Sequence, residues 1–135
     1  MIFKRAIPVA KLGARGERRA AWFYRLRGFS IVGRNYRMRG GEIDLIVRRG
    51  RLLVFVEVKT RQSLAAGEGY ESVDRAKQMQ MVRLSDAYLA KYQHKGEVRY
   101  DIVSLYWNGI RFVLRHFPDA FQTRSDPYRP WRWTI

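Results

Sequence analysis

The sequence contains no cysteine, two histidines and four prolines, and its acids are few: 12 against 27 basic residues. Each scarcity excludes something. Without cysteine there can be no disulfide framework and no thiolate-bound zinc, so the core must hold by packing alone, and a reducing compartment is permitted. His94 and His116 match no metal-ligand spacing, which disfavours a zinc enzyme. No apolar run is long enough to span a bilayer. The stretch Ala6 to Ala10 behind Lys4 and Arg5 is too short, and too broken by Pro8, for a secretory leader. The expectation is a cytoplasmic protein with no membrane association. No Gly/Ser- or Pro-rich linker divides the 135 residues, and a single chain of this length buries about two thirds of its extended surface. We expect a basic N-terminal arm over 1–13, one domain over 14–122, and an aromatic, basic tail over 123–135.

What the chain has in excess is positive charge, +15 in all, with 21 arginines and six lysines. Such an excess calls for a polyanionic partner, most simply nucleic acid. Arginine's planar fork suits phosphate, although a GC-rich genome produces the same bias. A ribosome-associated or other RNA-binding protein, and a membrane-surface binder, fit the charge as well.

The most informative stretch is Gly41-Glu42-Ile43-Asp44-Leu45-Ile46-Val47, a short basic turn, then Leu53-Val54-Phe55-Val56-Glu57-Val58-Lys59. It predicts a hairpin. Strand alternation puts Glu57 and Lys59 on one face, away from Val54, Val56 and Val58. With the turn centred near Gly50-Arg51, Asp44 falls opposite Glu57 on that face, which also carries Ile46 and Phe55. Two carboxylates and an ammonium meeting there could hold Mg²⁺ or Mn²⁺ through Asp44, Glu57 and the Val58 carbonyl, with Lys59 serving the attacking water or the phosphate. Glu-x-Lys on a strand also occurs as plain surface decoration. Glu42, two residues before Asp44, is an accessory acid or a cap of the Gly40-Gly41 turn.

Around the hairpin the spacing predicts a helix from about Ala14 to Arg27, stopped by Gly28, and a strand from Phe29 to Tyr36 broken at Gly33. Glu17, Ala20, Ala21 and Tyr24 share one face of that helix, so Glu17 is either a partner for the helix dipole or an inward-facing site acid. Residues 62–72 read as a loop and Val73 to Tyr92 as a second helix, with Ala76, Met79, Leu84, Ala87, Tyr88 and Leu89 on an imperfect apolar face. Lys77 and Gln78 open that helix and would reach phosphate if it crosses the site. Val98 to Trp107 reads as a strand, Asn108-Gly109 as a turn, and Ile110 to Arg115 as the returning strand. Arg99 and Asp101 share a strand face and suit a pair. In the tail, Arg129, Trp131, Arg132 and Trp133 suit stacking on unpaired bases and suit packing on the domain equally. The fold class is α/β, a mixed sheet flanked by helices in the order α-β-β-β-α-β-β.

Gly16-Glu17-x-x-Ala20-Ala21, Asn35-Tyr36-Arg37, the Gly41–Ile46 and Val54–Arg61 strings, Arg99–Val103 and Asp119-Ala120-Phe121 together resemble the bacterial YraN-like proteins. The resemblance implies the restriction-endonuclease-like fold, shared with archaeal Holliday-junction resolvases and the tRNA-endonuclease-like superfamily. It implies that Asp44, Glu57 and Lys59 form a D…ExK nuclease site and that Glu17 is the helix acid many such enzymes add. On this reading the chain is a metal-dependent endonuclease acting on DNA, branched or single-stranded, with Arg37, Arg61, Lys77 and Gln78 as nucleic-acid contacts. The alternative is a non-catalytic nucleic-acid-binding module. Junction cutting needs two symmetric incisions and would favour a homodimer.

Overall fold

A computed structural model describes residues 6–62 and 73–121. The expected loop and the Trp-rich tail lie outside the described residues. The elements run α1 (Val9–Arg25), β1 (Ser30–Met38), β2 (Gly41–Arg49), β3 (Leu52–Arg61), α2 (Arg75–Tyr92), β4 (Val98–Trp107) and β5 (Phe112–Phe121). The five strands form one mixed sheet in sequential order. Neighbours are antiparallel except β3 and β4, which are parallel, as a helical crossover between them requires. The α/β class, the element order and the mixed sheet are as the sequence predicts.

β3 is the centre of the molecule. Leu53 to Val58 are all buried, because each face of the strand meets a different helix. Val54, Val56 and Val58 pack with Leu45, Val47, Val103 and Leu105 beneath Ala20, Ala21 and Tyr24 of α1. Phe55 and Ile46 pack with Tyr100 and Ile102 beneath Met81 and Leu84 of α2. Each strand thus feeds two cores by simple alternation.

Element ends depart from expectation for identifiable reasons. α1 begins at Val9 rather than near Ala14, taking in residues expected to be a loose arm. Ile7 is buried, and its backbone N–H and carbonyl bond the Gln62 side chain at 3.3 and 2.7 Å. α2 begins two residues later than expected because Asp74 is its N-cap, accepting from the Lys77 amide at 2.9 Å. Its buried residues are Gln78, Met81, Leu84 and Ser85, whereas Met79, expected in the core, is exposed. β5 runs on to Phe121, past Pro118, since an edge strand tolerates a missing donor.

That extension serves a buried polar cluster. Asp101, fully buried, accepts two hydrogen bonds from Arg99 (2.8 and 2.9 Å), one from Tyr24 (2.7 Å) and one from the Asp119 amide (3.0 Å), and pairs with His116 at 2.8 Å. Burial alone would raise the Asp101 pKa, but the bonds from His116, Arg99, Asp119 and Tyr24 outweigh it and hold the carboxyl below its ordinary value. Through Tyr24 this cluster fastens the C-terminal end of α1 to the sheet. The middle of α1 approaches closely at Gly16, where a Cβ would collide with Thr60 of β3.

Both edges of the sheet are irregular. β1 carries a register shift between Ile31 and Gly33 and a left-handed residue at Asn35 (φ 47°). β5 carries Pro118 and a left-handed Asp119 (φ 53°).

Candidate active site at the open end of the hairpin

The β2–β3 ladder pairs Arg49 with Leu52 at its turn and Leu45 with Val56 at its far end. One step further, in the same register, Asp44 stands opposite Glu57. There the Val58 N–H donates to the Asp44 carboxylate at 2.9 Å, so a side chain takes over the ladder and fixes Asp44 at the strand end. The Asp44 and Glu57 carboxyls are near enough to share a hydrogen bond when one of them is protonated.

Glu57 is the anomaly of the site. Only 4% exposed, it leaves one carboxylate oxygen, Oε2, without a hydrogen-bond partner. Two ammonium groups approach it: Lys59 Nζ lies 3.8 Å from Oε1 and Lys77 Nζ 3.7 Å from Oε2. These distances are ion-pair contacts, too long for hydrogen bonds. Burial, then the Asp44 charge, push the Glu57 pKa up to about 8 against the pull of Lys77 and Lys59. Asp44 is also raised, mainly by burial, with the Val58 amide and Glu57 opposing. Burial and the Asp44 charge thus favour the protonated form of Glu57.

Glu17 comes to the site from α1. Burial raises its pKa, a hydrogen bond with Asn35 opposes this, and the charges of Asp44 and Glu42 add to the rise. The close approach at Gly16 is what lets the next residue stand near two β2 acids. Asn35 is a site residue the sequence reading named only within the Asn35-Tyr36-Arg37 string; its left-handed conformation (φ 47°) is one asparagine tolerates.

The remaining residues divide. Lys77, expected only if α2 crosses the site, does reach it. Gln78 does not face outward: it is 3% exposed and its amide donates to the Val73 carbonyl at 3.2 Å, a structural role that removes it from phosphate contact. Glu42 pairs with Arg37 at 3.2 Å on the exposed rim. Arg61 ends β3, half-buried. Val58 enters the site through its amide.

Asp44 and Glu57 offer hard oxygen donors of the kind Mg²⁺ or Mn²⁺ prefers, and Glu57 Oε2 is an acceptor with no hydrogen-bond donor upon it. By donor type the residues fit a divalent ion. Among the described residues no three acids or histidines converge closely enough to hold one as a cluster, so Glu17 stands outside the immediate pair.

A sequence model for a family described as an uncharacterised protein family, UPF0102, matches residues 16–105, the span that holds every one of these site residues. A UPF0102 protein of Syntrophotalea carbinolica is 40% identical over 111 residues, covering 82% of this chain and 90% of its own. One of Hahella chejuensis is 45% identical over 128 residues, covering 90% and 98%. One of Beutenbergia cavernae is 46% identical over 95 residues, covering 70% and 80%.

Proposed function

Given that the chain belongs to the uncharacterised family UPF0102, we propose that it is a nucleic-acid-binding protein and a metal-dependent endonuclease, with DNA as the favoured substrate. The observation that carries this reading is the buried Asp44–Glu57 pair, with one Glu57 oxygen left without a hydrogen-bond partner and two lysines facing it. A purely structural pair would gain nothing from an unbonded carboxylate oxygen at this depth, which costs about 1–3 kcal/mol.

Mg²⁺ or Mn²⁺ held by Asp44 and Glu57 would supply Lewis acidity and an activated water. The protein's own groups do the rest. The Val58 amide holds Asp44 in place. Glu57 must give up its proton to become a full donor, and Lys59 and Lys77 favour that ionised form. Lys59, on the more open side, stabilises an anionic nucleophile or a phosphate oxygen. Lys77, in the first turn of α2, adds its charge to the positive end of the helix. Asn35 orients Glu17 as an accessory acid.

Cleavage of a labelled panel (duplex, single strand, flap, four-way junction and RNA) in Mg²⁺, Mn²⁺ or EDTA tests the proposal. Metal-dependent cutting should disappear in Glu57→Gln and Lys59→Ala proteins while binding persists. Cutting retained by Glu57→Gln would overturn it. One observation favours a second reading, a binding module without catalysis: Lys59 and Lys77 already stand where a cation's charge would act. That reading predicts binding across the panel, indifferent to metal, with no cutting.

A further inference from the structure

We infer that the outer face of α1 is a second nucleic-acid contact surface, a ridge that grips the phosphate backbone. The inference rests on the nucleic-acid-binding part of the proposed function but on none of its chemistry. Lys11, Arg15, Arg18, Trp22 and Arg25 follow one another at intervals of four, three, four and three residues, and all are exposed. That spacing is a single stripe on a helix, and it lies opposite the face that Ala20 and Tyr24 bury in the core.

Three features separate this ridge from an ordinary solvated face. First, it carries one sign of charge. Glu17 is the only acid in α1, and it is turned to the site. Lys11–Arg15 and Arg15–Arg18 are like-charged neighbours at i,i+4 and i,i+3, each destabilising an isolated helix by about 0.2–0.5 kcal/mol. The first turn holds no acid, so Lys11 also opposes the helix dipole. A face built for solubility would mix signs; an anionic partner offsets these costs. Second, Trp22 is 52% exposed within the ridge, a large apolar surface left in water. Third, the arginines are arranged on aromatic rings: Arg25 lies over Trp22 at 5.3 Å and Arg15 over Trp107 at 5.8 Å. A stacked guanidinium keeps its N–H edge for phosphate, and less rotamer freedom is lost when it binds.

From Lys11 to Arg25 the ridge is about 21 Å long, an axial length over which one strand of a B-form duplex carries roughly six phosphates.

The test is equilibrium binding of a fluorescent duplex and a fluorescent single strand between 50 and 300 mM salt in EDTA. It compares the parent chain with a Lys11→Ala/Arg15→Ala/Arg18→Ala/Arg25→Ala variant and with Trp22→Ala. The four-residue variant should bind at least tenfold more weakly at low salt, with a log–log salt slope shallower by about two to four. Trp22→Ala should weaken binding severalfold without changing the slope. Unchanged circular dichroism and melting establish that the exposed substitutions leave the fold intact; should the four-residue variant melt early, single Arg18→Ala and Arg18→Lys proteins replace it, with loss expected in the first and recovery in the second. Equal affinity and slope in the variants, with the parent binding tightly, would overturn this inference alone. A parent chain that binds no nucleic acid at low salt would overturn the proposed function with it. Ridge-dependent binding to anionic vesicles in place of nucleic acid would assign the ridge to a lipid surface and overturn the inference.

Discussion

At Glu57 a pKa displacement becomes a stability statement. A carboxyl whose pKa is raised in the folded protein, here to about 8 from 4.5, holds a proton that the unfolded chain releases. Its contribution is therefore most favourable below about pH 4.5 and is lost as pH climbs towards 8. Urea unfolding in EDTA at pH 5, 7 and 9 should show Glu57→Gln gaining on the parent as pH rises, by roughly 1–3 kcal/mol at the alkaline end after allowance for the two lysines and for local water entry. Parallel curves would mean that Glu57 is ionised and satisfied in the folded state. The position of this residue was legible in the sequence because strand alternation and a short turn fix register. Its protonation was not, since that depends on burial, which the packing of α2 and the neighbouring strands supplies. Gln78 was misread for the same reason: a helix's rotation about its axis is set by what it packs on, and α2 has a weak apolar face.

Among the elements, α1 is held at three places: Ile7 on Gln62, Gly16 on Thr60, and Tyr24 on Asp101. Gly16 is the close one. Gly16→Ala should lift the helix from β3, destabilising the fold by about 1–3 kcal/mol, and should displace Glu17 from Asn35. Thr60→Ser, which removes the colliding methyl group, should restore part of the loss in the double variant, as thermal melting would report. Additive losses in the double variant would show that the helix has room to adjust at Gly16. The strand cores and the two-helix order could be read from hydrophobic period. The helix's early start and the polar cluster at Asp101 could not, because Tyr24, Asp101 and His116 are brought together only by the closed sheet.

For the whole molecule, +15 charges on 135 residues repel one another in the compact state. The melting temperature should rise as salt is added from 10 to 150 mM, where the Debye length shortens from about 30 to about 8 Å; a flat profile would show that the cations are locally neutralised. Charge of this kind also keeps copies of the chain apart in solution, and the two sheet edges work in the same direction. The bulge and left-handed Asn35 of β1, and Pro118 with Asp119 in β5, interrupt the regular row of donors and acceptors that an incoming strand would need. A sheet whose middle strand is buried from Leu53 to Val58 is a hazard if its margins can template growth. Here the margins are kinked, so newly made chains at high concentration have little purchase for edge-to-edge fibril formation, and any two copies that do meet must meet through side chains or helices.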